Sequence, residues 1–175
     1  MRFLVPAFAM VLAASAAYAE EDLPTLLSED GISDVKIGMK QDALERALHE
    51  KVLFNAYANG GCVAFTTKKL EAAGLGLLMF QKQLARVSVE YYSADTHPLA
   101  IKTAAGIGLG SSEEDVLKAY PGAKVKPNPA DPSWHTVIWE TADHSKGIVF
   151  ETDGKKVKSM RAGLNPFIAT PDGCS

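Results

Sequence analysis

The chain has 175 residues, with 18 Lys plus Arg against 21 Asp plus Glu, a net charge of −3. So slight an acidic balance gives no electrostatic footprint for nucleic acid or an anionic membrane surface. Hydrophobic residues make up 47% of the chain, enough for one ordinary core or two small cores that support each other.

Residues 1–19 read as a signal peptide. Arg2 gives a positive start, residues 3–12 are apolar, and Ala17-Tyr18-Ala19 is a small-x-small cleavage site. The expected mature chain starts at Glu20. Its leader is too short to span a bilayer, and no Cys follows the cleavage site to carry a lipid anchor. The expectation is a secreted protein with no transmembrane segment in the mature chain, most simply in a bacterial periplasm. In an oxidising compartment Cys62 and Cys174 are expected to form a disulfide. Closing a loop of about 110 residues contributes about 4–5 kcal/mol in the chain-entropy model. A catalytic thiol would need a base, and only Lys68 and Lys69 stand near either cysteine.

Residues 20–34 form an N-terminal arm with a small apolar island at Leu23, Leu26 and Leu27, read as a short helical turn or a segment lying on the fold. In 35–48, VKIGMKQDALERAL, Val35 and Ile37 suit a short strand, and Gly38 a turn. Leu44 and Leu48 then share a helix face. Three strands follow by alternation, at 62–67, 75–81 and 84–92, the hairpin turn at Gln81-Lys82-Gln83 lacking a glycine. Residues 93–99, SADTHPL, read as a short linker. Then 107–121, IGLGSSEEDVLKAYP, repeats the pattern: Ile107 and Leu109 as strand, a turn at Gly110, a capped helix, and a stop at Pro121-Gly122. Ser111 with Glu114 has capping-box spacing, and Ser112 with Asp115 is a looser version. Glu113, Glu114 and Asp115 suit the first turn of the helix dipole. Strands at 136–140, 147–151 and 156–162 follow, and Asp153-Gly154 is a strong hairpin signal.

The two halves align, Gly38 with Gly110 and, at a slightly different offset, Phe80 with Phe150 and Val87 with Val157. The expected fold is α+β: two tandem repeats, 35–98 and 99–175, each a short helix packed on an antiparallel sheet. Two longer loops, 55–61 (NAYANGG) and 127–134 (PNPADPSW), occupy the same slot in each.

The run I-G-M-x-x-x-x-L-x-x-x-L at 37–48 and the run L-G-S-S-E-x-x-V-L-x-x-Y-P at 109–121 resemble the opening of SmpA/OmlA (BamE-like) domains. Two tandem copies of such a unit are also similar to the β-lactamase inhibitor protein architecture. The resemblance implies a helix-on-sheet module and a role in binding another protein through exposed loops and a concave sheet surface.

Patterns for chemistry are sparse. The glycines of 106–110 are spaced G-x-G-x-G without a following Lys, and three carboxylates would repel a phosphate, so the stretch reads as a helix cap. It also lacks the G-x-S-x-G of a nucleophile elbow. Among His49, His97, His135 and His144, only His135 and His144 could meet, with Asp143, as a metal or catalytic group. Glu140, Asp143 and Glu151 could approach one another in the second half, but paired acid–base work needs a cleft and separated pKa values. Lys155, Lys156, Lys158 and Arg161 read as a solvated strand face. Phe54, Phe65, Phe80, Phe150 and Trp139 read as core. Trp134 stands in a proline-bearing loop, either as an exposed anchor for a partner or folded over the sheet edge.

The expected function is therefore an exported, non-catalytic periplasmic protein-binding module, in one version an inhibitor of a hydrolase with Asp131 and Trp134 entering its cleft. Tyr57, Tyr91, Asp131 and Trp134 are the candidate partner surface, the partner being another periplasmic or envelope protein. No catalytic residue, metal or cofactor is assigned. The alternatives are a metal-binding or enzymatic protein using His135 and His144, and a structural protein of the cell envelope.

Overall fold

The computed structural model describes residues 25–54, 58–91, 101–169, 171, 173 and 174. The signal peptide, the linker 93–99, Tyr57 and His97 lie outside these residues. The end of the arm is not a helical turn but a hairpin, β1 (Leu26–Ser28) and β2 (Gly31–Ile32), continued by β3 (Val35–Lys36). Leu27, Ile32 and Val35 are cross-strand neighbours and all buried, while Leu26 points outward.

Helix α1 (Gln41–Leu48) buries Leu44 and Leu48, and Lys40 at its N-cap offers no side-chain hydrogen bond. Strand β4 (Cys62–Phe65) leads to α2 (Lys68–Ala72), a helix the sequence reading did not assign. Its cap is Thr67, whose hydroxyl accepts from the Leu70 amide at 3.2 Å. Strands β5 (Leu75–Phe80) and β6 (Gln83–Val89) follow, turning through Gln81 and Lys82 with φ of 48° and 66°.

In the second half β7 (Lys102–Thr103) pairs parallel with β1. The strand expected over Ile107 and Leu109 is not formed; the stretch makes one bridge, Gly108 to Lys102, and both side chains are buried. Gly110, at φ 82°, turns the chain into α3 (Glu113–Ala119). Ser112 is the cap: its hydroxyl accepts from the Asp115 amide at 3.1 Å and donates to the Asp115 carboxylate at 2.6 Å. Ser111 instead accepts from the Gly108 amide at 3.0 Å. Four strands complete the chain: β8 (Lys124–Pro127), β9 (His135–Glu140), β10 (Lys146–Thr152) and β11 (Val157–Leu164). β8 was not read as a strand.

The expected pair of helix-on-sheet repeats is not what forms. The described residues are mostly β, eleven strands in a four-stranded sheet ordered β3-β2-β1-β7 and a seven-stranded sheet ordered β4-β5-β6-β11-β10-β9-β8. The three helices have eight, five and seven residues, too few turns to make a layer of their own. One sheet crosses both halves because β6 pairs antiparallel with β11, Arg161 opposite Ser88 and Ala162 opposite Val87. Joining the two meanders there removes two unpaired strand edges at once.

Register then divides the large sheet into two faces. On one, Val137, Phe150, Met160, Val89 and Leu75 form a row across five strands, and Trp139, Ile148, Ala162, Val87, Leu77 and Phe65 a second. These rows, the small sheet, Leu44, Leu48, Leu70, Val116 and Tyr120 make the main core. Tyr120 meets Trp139 edge-on at 5.4 Å, and its burial pushes the phenol pKa up. The Phe80–Phe150 correspondence fails. Plain alternation along β5 puts Phe80 with Leu78 on the opposite face, where it packs on Phe167 at 4.7 Å, while the bulge falls in β6 and sets Ala85 on that face and Leu84 in the main core. Among the described residues, no helix is long and apolar enough to cross a membrane.

Candidate functional site

The face turned away from the main core is mixed: Cys62, Leu78 and Ala85 make a small apolar cluster at one side, and polar residues gather on β9, β10 and β11. Thr136, Glu151 and Ser159 form one cross-strand row, and Ile138, Val149, Arg161 and Ser88 the next. Past β11 the chain doubles back over part of this face. Arg86 Nη1 donates to the Phe167 carbonyl at 3.0 Å and Arg161 Nε to the Ile168 carbonyl at 3.1 Å. Ile168 is fully buried. Cys174 is joined to Cys62 by the expected disulfide, with Cα atoms 5.6 Å apart.

Between the returning tail and residues 128–134 a cleft of about 450 Å³ stays open. Its floor is Ser88, Glu90, Thr136, Glu151, Ser159 and Arg161. Ala169 and Pro171 wall one side; Asn128, Pro129 and Trp134 wall the other. The loop holds its shape by its own hydrogen bonds, Asn128 N to the Trp134 carbonyl at 2.7 Å and Trp134 N to the Asp131 carbonyl at 3.0 Å. The floor is pinned by an ion pair: Arg161 Nη2 to Glu151 Oε1 at 2.6 Å, while Glu151 Oε2 accepts from the Thr136 hydroxyl at 2.8 Å. Arg161 is thus not part of a solvated strand face.

A second hollow, of about 430 Å³, lies between the start of α1 and the β5–β6 turn. Two of its polar side chains are already engaged. Glu45 takes Lys51 and the Val52 amide, and Gln41 donates to the Val52 carbonyl. The sheet cleft, with a floor set by strand register, is the better-built site.

The four candidate surface residues do not converge. Trp134 lines the cleft and is 38% exposed, so it both leans on the face and offers a ring edge to solvent. Asp131 turns its carboxylate onto its own loop. The Ser133 hydroxyl, at 2.7 Å, and the Ser133 amide hold its pKa below the ordinary value. Tyr91 is 53% exposed just beyond Glu90 and does not line the cleft. Tyr57 is outside the described residues. Ser88, Glu90 and Ser159 were not singled out from sequence; the alternating polar positions of β6 and β11 were the available signal.

His135 and His144 do not meet. His135 Nδ1 lies 2.9 Å from the Glu113 carboxylate at the start of β9, and Thr152 Oγ1 donates to the same carboxylate. His144 Nδ1 lies 3.0 Å from Glu140 beyond the other end of β9. Asp143 is bound by Thr141 and Ser145, and Glu140 also accepts from Asn165. The carboxylates Glu140, Asp143 and Glu151 therefore keep separate partners. Among the described residues, no group of three or more His, Cys, Asp or Glu is placed to hold a metal ion.

The chain matches no family model, no curated protein and no solved structure.

Proposed function

We propose that this is an exported, non-catalytic binding protein that meets another polypeptide on the outer face of its large sheet, at the polar cleft. The observation that carries the reading is Trp134, held by a hydrogen-bonded loop at the rim of a preformed cleft with a charged floor. An indole so placed presents a large ring at little entropic cost, which suits an anchor between proteins. Among the described residues no His, Lys or Cys lines the cleft, and its Glu151 is taken up by Arg161 and Thr136, which favours binding over turnover. The disulfide and the signal-like leader support an oxidising compartment outside the cytoplasm. The family resemblance of 37–48 and 109–121 points to the same class, an inhibitor of a hydrolase being one form of it.

The test is capture from envelope extract by immobilised protein, wild type beside Trp134→Ala. The reading expects at least one species retained by wild type and lost by the variant. Identical retention by the two proteins, or none by either, would count against it.

A further inference from the structure

The cleft floor carries charge and hydrogen-bonding capacity that the fold leaves unspent, and the two together specify what enters. Arg161 and Glu151 cancel each other at 2.6 Å. Glu90 does not share in this: its amide donates to the Gly74 carbonyl, but its carboxylate has no partner among the described residues. Among the described residues, one negative charge therefore stands uncompensated in the cleft.

Arg161 is also only partly used. Its side chain is 7% exposed, its Nε and Nη2 are spent on Ile168 and Glu151, and Nη1 has no acceptor among the described residues. Ser88, its cross-strand neighbour, is 6% exposed, and its hydroxyl likewise has no partner there. Two polar side chains more than nine-tenths buried thus line the cleft side by side with donors to spare. A ligand that displaces water from them without offering an acceptor loses affinity.

These demands select among ligands. A plain anion would satisfy Arg161 and Ser88 but would face the free charge of Glu90. A plain cation would satisfy Glu90 and strand the two donors. A peptide carbonyl beside a basic side chain answers both, since the carbonyl adds no net charge. Ser88 and Glu90 are two residues apart on an extended chain, about 7 Å, a span that a lysine or arginine stem covers.

We infer that the cleft receives an extended segment of partner polypeptide carrying a lysine or arginine. Its main-chain carbonyl accepts from Arg161 Nη1 and Ser88 Oγ, and its cation pairs with Glu90. This rests on the polypeptide-binding reading above and adds the chemistry of the bound residue.

The test uses the full chain, ¹⁵N-labelled, titrated with three peptides blocked at both ends, Ala-Ala-X-Ala-Ala with X as Lys, Ala or Glu. Amide shifts are followed at Ser88, Glu90 and Arg161 in low salt. The Lys peptide should bind at least about tenfold tighter than the Glu peptide. Glu90→Gln should erase that preference, and Ser88→Ala should weaken all three peptides alike. Equal binding of the three, binding of none, or a Lys preference that survives in Glu90→Gln would overturn the inference. If the inference falls while Trp134→Ala still abolishes capture from extract, the broader reading stands without it.

Discussion

Arg161 Nη2 lies 2.6 Å from Glu151 Oε1, with side-chain exposures of only 7% and 17%. The pair spans two adjacent strands of one face, and breaking it from the carboxylate side leaves a guanidinium largely enclosed. Glu151→Ala is expected to lose about 2–3 kcal/mol, somewhat less than a fully buried pair because the cleft admits water. Replacing both partners, as Glu151→Leu with Arg161→Met, should cost less than the single change. Urea denaturation checks both. A single-variant loss under about 0.5 kcal/mol would mean that the pair behaves like an exposed one.

The Cys62–Cys174 bridge anchors the tail whose residues Ala169 and Pro171 form one wall of the cleft. Reduction, or Cys174→Ser, should lower stability by about 4–5 kcal/mol on the chain-entropy account. Amide exchange at Phe167 and Ile168 should speed up more than exchange in β10. Equal protection of the tail in the oxidised and reduced protein would show that Arg86 and Arg161 hold it unaided.

Gly163 sits on β11 where it crosses β6, with φ 143°, and a Cβ there would lie 2.2 Å from the Ala85 carbonyl oxygen. Backbone cannot yield as a flexible side chain does, so Gly163→Ala should push the two halves of the sheet apart at their seam. A loss of more than about 2 kcal/mol is expected, from the strain and the broken ladder together. Thermal unfolding that matches wild type would refute the close approach.

Asp153 is held down to a pKa of about 2 by the Lys158 ammonium, 2.8 Å away, and by the Lys156 amide. Asp143 is held equally low by the Thr141 hydroxyl and then by Ser145. Both folded values lie below the ordinary 3.8, so folding favours the ionised form. The stabilisation is complete above pH about 4 and is lost as pH falls through about 2. Asp153→Asn should therefore differ most from wild type at neutral pH and converge with it near pH 2. A gap unchanged across that range would remove the assignment.

Local signals were legible wherever a residue's role depended on its near neighbours. Alternation located β4, β5, β6, β9, β10 and β11, the spacing of Leu44 and Leu48 located α1, and the serines with their trailing carboxylates located α3. Cysteine count and a signal-like leader were enough to expect the Cys62–Cys174 bridge, which forms. The partner of a strand edge is not a local property. Nothing within β6 or β11 states that they pair with each other, and that pairing turned two expected modules into one seven-stranded sheet. The bulge that sets Leu84 in the main core and Ala85 on the other face depends on the β5–β6 register, not on composition. Arg161 read as a solvated strand residue because it follows Lys155, Lys156 and Lys158 along the same segment. Only the tail folded over it, bringing the Ile168 carbonyl, and Glu151 across the ladder make it the buried centre of a cleft. Pattern along a chain sets which side chains share a face, and long-range strand pairing, decided by the collective burial of edges and apolar rows, sets which faces meet.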